Sequence, residues 1–578
     1  MKIFVFTVLA LALSAAATRS AGAPGSCQVW VRSDTVHVLR DEPAGPAKDV
    51  ALAAARNEWE SFQIFLRSDS PVNGVNVEPG DLQGPGGSLI RASAAVLYRQ
   101  HQHELTRPTN RNDGFKPGWY PDALIPFRHP VTGAPLAGAR FAAVPFTLPA
   151  NETHGFWVDL LVPADAKPGE YRGTYRVVAS GRDVAQIGVK LTVWDFALPR
   201  VATLQTAFGS PAERMRGYYA QRAKAGTEPE PKNWPALDAQ VADEVSRHRV
   251  NATPPAGLLA PRKESDGTFL FPTAQVEALR TFVDTYQVNA LQTPHPRSAV
   301  QDPETEREKL HAWLRSFDRM AAELKRPNVI LFTYLKDEPN TEEDYRYVQK
   351  WGRAVREAKS VVKVMVVEQP WTEPGKRGAD RNWGELFGAV DIWCPLFSLH
   401  RQEDAAKRQA LGETIWTYTA LCQGPPSPWW HIDFPLLNYR VPTWMAWRDR
   451  MKGLLYWGGM CYWTKVEDPW LQAPHFVGKG VFQQGQTGLV YHGEGSLVYP
   501  ARAVGYDGIV PSIRLKALRD GIEDYEYLAM LERAGRRAEA EKIVRSLTES
   551  FFKWEKDAAA YARAREQLAA MIVEAKRK

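Results

Sequence analysis

The sequence predicts a multidomain protein of the α/β and β classes, in which an N-terminal β-sandwich precedes a (β/α)8 barrel and a C-terminal helical segment. Up to about residue 200, short β-type runs are broken by Gly, Pro, Asn and Asp, which is typical of a sandwich. After residue 203, apolar runs alternate with amphipathic helices, as in βα units on a parallel sheet. A chain of 578 residues with 44% hydrophobic and 24% charged residues is long enough for about two to four domains.

The first 23 residues have the layout of a secretory signal peptide. Lys2 precedes an apolar run at 3–13, and small residues follow through Ala23, in the order that such signals show. We therefore expect an exported protein, either secreted or periplasmic. Lipoprotein signals place an aliphatic residue three positions before the Cys that carries the lipid. No aliphatic residue stands three positions before Cys27, so a lipid anchor there is the less favoured alternative.

Residues 27–200 form the predicted sandwich. Alternating runs at 61–66 and 156–162 indicate strands. Pro168 and Gly169 form a turn signal before a further alternating run, as a hairpin requires. The run at 191–196 is the last of this domain.

Residues 203–535 form the predicted barrel, and residues 536–578 a helical extension. The second of its eight β-type runs, at 250–253, is short and precedes a Pro-rich loop at 254–272, so an incomplete barrel remains an alternative. A TIM barrel needs eight units of one strand and one helix. The eight β-type runs are 204–208, 250–253, 288–292, 329–335, 362–367, 390–394, 414–419 and 454–462, and the predicted helices include 235–247, 273–286, 303–325, 341–358, 439–451 and 512–534.

Composition and motifs exclude several classes of partner. The formal net charge of +6 is spread along the chain without a basic block, so we expect no nucleic-acid partner. Beyond the signal, no run of about 20 apolar residues predicts a membrane span. The four Cys include no CxxC pair, and no sequence motif implies a metal or a cofactor.

Two consecutive acids follow the fourth apolar run. Lys336, Asp337, Glu338 and Pro339 come directly after residues 329–335. The active site of such a barrel lies at the carboxyl ends of its strands, so the acids are expected at the mouth. Pro339 disfavours helical backbone at Glu338, which predicts an extended chain there. Two close carboxylates do not both ionise freely, which makes one of them a proton donor and predicts a catalytic pair.

Aromatic residues are concentrated in the second half of the barrel. Of 20 Trp, 11 lie between residues 371 and 470. A pyranose packs its C–H face on a flat ring while its hydroxyls hydrogen-bond outward, so rings at strand ends predict a sugar pocket. Core packing is the alternative for each ring, and it is favoured for Trp444 and Trp447. The candidate substrate-binding residues are Tyr334, Trp393, Trp416, Tyr418, Trp457, Trp463, His431 and Asp433.

The chain resembles glycoside hydrolase family 123 over roughly residues 30–535. The sequence Leu-Lys-Asp-Glu-Pro at 335–339 looks like the catalytic motif of that family. The C-terminal similarity extends to the related domain of unknown function 4091. The other similar segments are 57–63, 193–199, 495–500 and 512–528.

The resemblance implies an activity and a mechanism. Characterised members of the family are β-N-acetylgalactosaminidases that use substrate-assisted retention, in which the acetamido oxygen of the substrate attacks the anomeric carbon. By motif position, Asp337 would orient the acetamido group and stabilise an oxazolinium-like intermediate. Glu338 would protonate the leaving oxygen and later activate water. The expected partner is a carbohydrate, either a glycan or a glycoconjugate.

Three alternatives remain at this point. In the first, the acids only precede a helix capped at 341–344. In the second, the protein is a glycosidase for sugars without an acetamido group, which would need a further carboxylate, such as Glu467 or Asp468, as nucleophile or base. In the third, a non-catalytic glycan-binding or cell-envelope protein binds sugar without turnover.

Overall fold

The computed structural model describes residues 27–46, 49–370, 385–463, 466–478 and 488–577. The predicted signal peptide at 1–23 lies outside the described residues. Within the described ranges, no helix combines the length and the apolar character that crossing a membrane requires.

Two sheets form the N-terminal part of the chain. One sheet has the order β1-β3-β10-β7-β8, and the other has the order β2-β12-β11-β4-β9 with β5 and β6 at its side. All pairs are antiparallel except β2 with β12, which is parallel. The strands are β1 (Gln28–Ser33), β2 (Val50–Arg56), β3 (Glu58–Arg67), β4 (Val72–Glu78), β5 (Leu82–Gln83), β6 (Leu89–Ile90), β7 (Ala95–Leu105), β8 (Gly118–Pro126), β9 (Phe146–Leu148), β10 (His154–Val162), β11 (Gly169–Ala179) and β12 (Arg182–Ala197).

The two sheets enclose a common apolar core. Phe62 and Ile64 from the first sheet pack with Tyr175 and Leu191 from the second, and all four are buried. Buried and half-buried residues alternate along most of β12 because successive side chains of a strand point to opposite faces. The predicted sheet-rich N-terminal domain is thereby confirmed.

Seven parallel strands nearly close into a barrel in the order β13-β21-β20-β19-β18-β17-β16. Large apolar side chains such as Phe332, Met365 and Trp416 fill its interior. Three two-stranded pairs, β14-β15, β22-β23 and β24-β25, lie outside this sheet. The strands are β13 (Gln205–Ala207), β14 (Arg262–Lys263), β15 (Phe269–Leu270), β16 (Ala290–Thr293), β17 (Ile330–Asp337), β18 (Val362–Val367), β19 (Ile392–Trp393), β20 (Thr414–Tyr418), β21 (Gly453–Leu455), β22 (His475–Gly478), β23 (Leu489–His492), β24 (Val498–Pro500) and β25 (Ile509–Pro511).

Helices cover the outer face of the barrel sheet. The helix at residues 307–324 buries Leu310, Leu314 and Phe317, whose spacing places them on one face. The helix at 342–357 begins where Thr341 accepts a hydrogen bond of 3.1 Å from the Asp344 amide. The helices are α1 (Pro211–Lys224), α2 (Trp234–Arg247), α3 (Thr273–Tyr286), α4 (Arg307–Leu324), α5 (Glu342–Glu357), α6 (Gln402–Ala410), α7 (Leu437–Arg448), α8 (Ile513–Arg533), α9 (Arg537–Leu547) and α10 (Ala558–Arg577).

The prediction of a strand at 250–253 is wrong. These residues form no strand, and they lie where β13 and β16 approach each other. The Asn251 side chain donates to the Thr206 carbonyl at 2.9 Å and to Asn289 Oδ1 at 2.8 Å, and it accepts from the Asn289 amide at 3.0 Å. One side chain therefore bridges the two strands in place of a ladder, which leaves the barrel nearly closed with seven strands.

Helix α8 joins the N-terminal sheets to the barrel through buried ion pairs. Arg514 donates two hydrogen bonds to Asp122, of 2.7 and 2.8 Å. Lys516 and Arg519 both donate to Asp159, at 2.7 and 2.8 Å. Asp122 and Asp159 belong to strands β8 and β10 of the N-terminal sheet, so the charged residues of the 512–528 segment hold the two parts of the chain together.

Candidate active site

A cavity of about 530 Å³ opens at the carboxyl ends of the barrel strands. Its wall comes mainly from the ends of β13, β17, β20 and β21 and from the loops that follow them, the position at which barrels of this kind bind their ligands. The lining residues are Ala207, Phe208, Gly209, Ser210, Glu213, Arg214, Gln292, Tyr334, Asp337, Glu338, Tyr418, Ala420, Leu421, Cys422, Leu455, Tyr456, Trp457, Gly458 and Gly459.

A bulge in β17 places Tyr334 beside Asp337. Tyr334 pairs with Met365 of β18 and Lys336 pairs with Val366, so one extra residue is inserted between them. In a regular strand, positions i and i+3 point to opposite faces, and the extra residue reverses this relation. The Tyr334 hydroxyl accordingly donates a hydrogen bond of 2.7 Å to Asp337 Oδ1.

Glu338 turns the chain at the end of β17. Its φ is +37°, in the left-handed region, so the expectation of an extended backbone before Pro339 is wrong. The Asn340 side chain donates a hydrogen bond of 2.7 Å to the Glu338 carbonyl and fixes this turn. Because the chain must leave the strand and enter α5 within four residues, the turn occurs at the carboxylate itself, and such conformations are concentrated at functional sites.

A second tyrosine, at the end of β20, holds Glu338. The Tyr418 hydroxyl donates to Glu338 Oε1, and the Cys422 thiol lies 4.0 Å from the same oxygen. Burial and the adjacent Glu338 carboxylate raise the pKa of Tyr418 well above its usual range. Burial and the Asp337 carboxylate do the same to the pKa of Tyr334. Both hydroxyls therefore remain protonated donors over the whole pH range in which an enzyme works.

Replacing Tyr418 by phenylalanine is expected to lower kcat/KM about 2- to 10-fold, because the hydrogen bond that holds Glu338 contributes roughly 0.5–1.5 kcal/mol. The melting temperature should change little, since the ring remains in place. Steady-state kinetics on the best glycoside, beside Tyr175→Phe, measures the effect. Tyr175 is buried between the N-terminal sheets, and an equal loss in that control would contradict a role of the Tyr418 hydroxyl in the site.

Three of the predicted rings reach the cavity, and three do not. Tyr334, Tyr418 and Trp457 line it. Trp393 points away from the barrel interior and donates to Glu413 at 2.6 Å. Trp416 lies deep inside the barrel against Phe332, and Trp463 donates to the Val498 carbonyl at 2.8 Å within the core. The three rings outside the wall are thus packing residues.

His431 and Asp433 also lie outside the cavity wall. His431 is fully buried and packs against Trp429, and burial lowers its pKa well below its usual range. Asp433 accepts hydrogen bonds of 2.8 and 2.6 Å from the amide and hydroxyl of Thr109. Asp433 therefore ties a loop of the N-terminal domain to the loop after β20.

The other acids considered from sequence are outside the cavity as well. Asp468 pairs with Arg140 through hydrogen bonds of 2.6 and 3.0 Å. Glu467 does not line the cavity. Lys336 pairs with Asp344 of α5 at 2.5 Å, which anchors the end of β17 to the start of that helix.

Two sequence models of one family match the chain. The model described as glycoside hydrolase 123, catalytic domain, matches residues 281–531, and the model described as glycoside hydrolase 123 N-terminal domain matches residues 30–179. Together they span more than half of the chain. The chain belongs to glycoside hydrolase family 123. It is therefore a glycoside hydrolase, and the predicted family is confirmed.

One solved structure of the same family agrees with this assignment at the level of the fold. A family 123 glycoside hydrolase from Clostridium perfringens, described in work on glycolipid glycan hydrolysis, is 16% identical, with a TM-score of 0.62 over 95% of this chain and 97% of that chain. A glycosyl hydrolase family 2 member from Bacteroides cellulosilyticus is 9% identical, with a TM-score of 0.24 over 70% of this chain and 44% of that one. No curated protein sequence matches the chain.

The sequence did not indicate several residues of this family 123 site. Gln292 is the last residue of the third β-type run, so the rule that strand ends carry the site could have found it. Glu213 and Arg214 line the cavity from the first turn of α1. Nothing in their local pattern separates them from ordinary helix-terminal charges, because only the closing of the barrel brings α1 to the mouth.

Glu494 lies behind the cavity wall and was not predicted. It is 1% exposed, and its carboxyl accepts a hydrogen bond from the Trp457 indole. Burial raises the pKa of Glu494 from 4.5 to about 8, although the Trp457 hydrogen bond and the Arg514 charge act in the opposite direction. A neutral carboxylic acid therefore supports the indole at neutral pH.

Glu494→Gln is expected to reduce the loss of stability that occurs as pH rises toward 8. The folded protein keeps the Glu494 proton up to about pH 8, whereas the unfolded chain releases it near pH 4.5. Stability therefore falls between these values, and glutamine has no proton to lose. The melting temperatures of the parent and of Glu494→Gln are measured from about pH 6 to 9. The other titrating groups contribute equally to both proteins, so they cancel in the difference between the two melting temperatures. A constant difference over that range would contradict the prediction.

Proposed function

We propose that this glycoside hydrolase removes terminal β-linked N-acetylhexosamine, with N-acetylgalactosamine as the favoured sugar, from glycans by substrate-assisted retention. The observation that carries the proposal is the placement of Asp337 and Glu338 next to each other at one strand end, each held by a different tyrosine hydroxyl. Retaining enzymes that use two carboxylates separate them by about 5 Å on opposite sides of the bond. Consecutive acids instead suit a mechanism in which the substrate provides the nucleophile.

In the first step, the acetamido oxygen attacks the anomeric carbon and forms a C–O bond. The glycosidic C–O bond breaks, and the leaving oxygen takes the proton of Glu338 as general acid. Asp337, oriented by Tyr334, accepts a hydrogen bond from the acetamido N–H and stabilises the positive charge that develops there. The products of this step are the free aglycone and a cyclic oxazolinium-like intermediate.

In the second step, water attacks the anomeric carbon of the intermediate. Glu338, now a carboxylate, takes the water proton, and the bond from the anomeric carbon to the acetamido oxygen breaks. The acetamido group is restored, and the sugar keeps its original anomeric configuration. Trp457, at the cavity wall, provides the flat apolar surface on which the C–H face of the ring packs.

Hydrolysis of 4-nitrophenyl β-N-acetylgalactosaminide, β-N-acetylglucosaminide and β-galactoside tests the proposal. We expect turnover of the N-acetyl sugars, fastest for N-acetylgalactosamine, and competitive inhibition by a thiazoline analogue of the oxazolinium. Turnover of the galactoside at a similar rate would contradict participation of the acetamido group. If all three substrates stay intact while a glycan array shows binding, this substrate assignment fails.

One observation favours a second candidate, a glycosidase acting on sugars without an acetamido group. Glu213 is a third carboxylate in the wall of the same cavity, and it could act as nucleophile or base there. In that case Glu213→Gln abolishes turnover of the galactoside. Under the favoured mechanism, the same substitution changes binding and leaves the chemical step in place.

We further propose that the enzyme is exported to the periplasm or the medium. The support is the arrangement of residues 1–23 as a charged start, an apolar run and a small-residue region. Expression in a bacterial host, followed by fractionation and mass measurement of the mature protein, tests this. A cytoplasmic protein that keeps the whole segment would contradict export.

A further inference from the structure

The turn that joins β23 to β24 lies directly behind the aromatic wall of the cavity. Gly493 and Gly495 have φ of +80° and +68°, and Glu494 stands between them. The amide of Ser496 donates to the Gly493 carbonyl at 3.0 Å and closes the turn. The two left-handed positions let the turn project the Glu494 carboxyl toward the barrel.

Two hydrogen bonds connect this turn to the cavity wall. The Gly495 amide donates to the Tyr456 hydroxyl at 2.8 Å, and the Trp457 indole donates to Glu494 Oε1. Both aromatic residues line the cavity. The turn therefore fixes two neighbouring rings of the sugar-facing wall from behind.

The packing leaves no room for the turn to shift toward the wall. A Cβ atom at Gly495 would lie 2.9 Å from Tyr462 Cβ and 3.0 Å from Trp457 Cζ2, both closer than side chains pack. Glycine at this position thus allows the backbone to contact the indole. The turn therefore contacts the Trp457 indole in two ways, through the Gly495 backbone and through the Glu494 hydrogen bond.

An arginine holds the turn, and a histidine lies beside the carboxyl. Arg514 of α8 donates to the Gly493 carbonyl at 3.2 Å and to the Ser496 carbonyl at 2.7 Å. His431 Nδ1 lies 3.6 Å from Glu494 Oε2. Arg514 is itself paired with Asp122, which offsets part of its charge. These contacts position Glu494 and leave its Oε1 directed at the indole.

We propose that Glu494 is a positioning residue that sets the plane of the Trp457 indole and thereby the affinity of the cavity for the sugar ring. The inference rests on the proposed function only for the role of Trp457 as a sugar platform. Glu494 does not contact the substrate. Since the platform binds the sugar in the ground state and in the transition state alike, losing its orientation changes KM more than kcat.

Glu494→Leu and Glu494→Gln separate positioning from general packing. Leucine removes the acceptor for the indole N–H, and glutamine retains an acceptor oxygen. We expect leucine to raise KM for the preferred aryl glycoside about tenfold with kcat nearly unchanged, and glutamine to keep KM close to that of the parent. If leucine prevents folding, Glu494→Met tests the same loss with an unbranched side chain.

Glu244→Leu is the matched control, because Glu244 is a buried glutamate of α2 whose neighbour is His248 and which does not line the cavity. An equal rise of KM in this control, or an unchanged KM in Glu494→Leu, would overturn the proposal. In a Trp457→Phe background, which lacks the indole N–H, Glu494→Leu should have no further effect on KM.

Crystal structures of the parent and of Glu494→Leu give a readout that does not depend on the substrate. We expect the Trp457 ring to rotate in the variant, and an unchanged ring would overturn the inference. If the parent hydrolyses none of the aryl glycosides, the proposed function fails. The ring orientation in the two structures then still decides the positioning role.

Discussion

Glu338→Gln is expected to lower kcat about a thousandfold on a 4-nitrophenyl N-acetylhexosaminide while the protein stays folded, because general acid catalysis contributes roughly 10²–10⁴ in rate. Asp337→Asn is expected to cause a loss of similar size for a different reason. Under the proposed mechanism, it removes the negative charge that stabilises the oxazolinium-like intermediate, and such electrostatic contributions reach about 10²–10³ in kcat.

The leaving group distinguishes the two roles. A 2,4-dinitrophenyl glycoside needs little proton donation, so its first step should be nearly insensitive to Glu338→Gln. The same glycoside should remain a poor substrate of Asp337→Asn, since the intermediate still lacks its counter-charge. Pre-steady-state release of dinitrophenol measures the first step separately from hydrolysis of the intermediate. Equal sensitivity of both variants to the leaving group would contradict the assigned roles.

Thr341→Ala is a suitable control for both substitutions. Thr341 caps α5 close to Asp337 and Glu338 without lining the cavity. Losing the cap costs about 1 kcal/mol of stability, and kcat should be preserved. A large loss of kcat in this variant would show that disturbing the end of β17 is enough to stop the reaction, without a chemical role for either acid.

Elements with strong local patterns were predictable from the sequence. The run at 362–367 and the helix at 273–286 have the bounds that were expected. Alternating apolar runs and helical periodicity are properties of neighbouring residues, so they can be recognised without knowledge of the fold. The placement of Asp337 and Glu338 at the cavity followed from the same local pattern together with the rule for barrel strand ends.

The direction in which each aromatic ring points was not predictable, because it depends on the register of its strand and on the position of the residue along the barrel axis. On β19, Ile392 faces the barrel interior and Trp393 faces the helices, and a shift of one residue would exchange them. On β20, Trp416 and Tyr418 share the interior face, but only Tyr418 is high enough to line the cavity. Being near a strand end therefore does not establish contact with the cavity.

Long-range contacts explain the remaining differences. The position expected for an eighth strand is bridged by Asn251, whose partner Asn289 is 38 residues away in the chain. Glu494 supports Trp457 across 37 residues. Neither pairing has a local signature, since each depends on how separate strands and turns assemble. Such residues become visible only when the folded chain brings the partners together.

The segment at 512–528 carries a strong family resemblance, but its charged residues serve the domain interface. Lys516 and Arg519 both point to Asp159, which also accepts a hydrogen bond of 2.7 Å from Ser61. Burial alone would raise the pKa of Asp159, but the charges of Arg519 and Lys516 outweigh it and hold that pKa well below its usual range. A carboxylate between two cations thus links β10 to α8.

Asp159→Asn is expected to lower the free energy of unfolding by about 3–5 kcal/mol, because it leaves two buried cations without their shared counter-charge. Asparagine has nearly the same shape, so the loss reflects charge more than packing. Denaturant unfolding and melting temperature of the parent and the variant measure the effect. If Asp159→Asn does not yield soluble protein, the yield of the double variant Asp159→Asn with Lys516→Met provides the comparison.

The double variant should recover part of the lost stability, since it removes Lys516 together with the carboxylate and leaves only Arg519, which keeps its pairing with Asp520, without the Asp159 counter-charge. The pH dependence gives a second test. A depressed pKa contributes stability above the ordinary carboxyl range that is lost as pH falls through the folded value, so the parent should lose stability at acid pH more steeply than Asp159→Asn does. A double variant less stable than the single one, or parallel acid profiles, would show that the interface is held by apolar packing and not by this charge cluster.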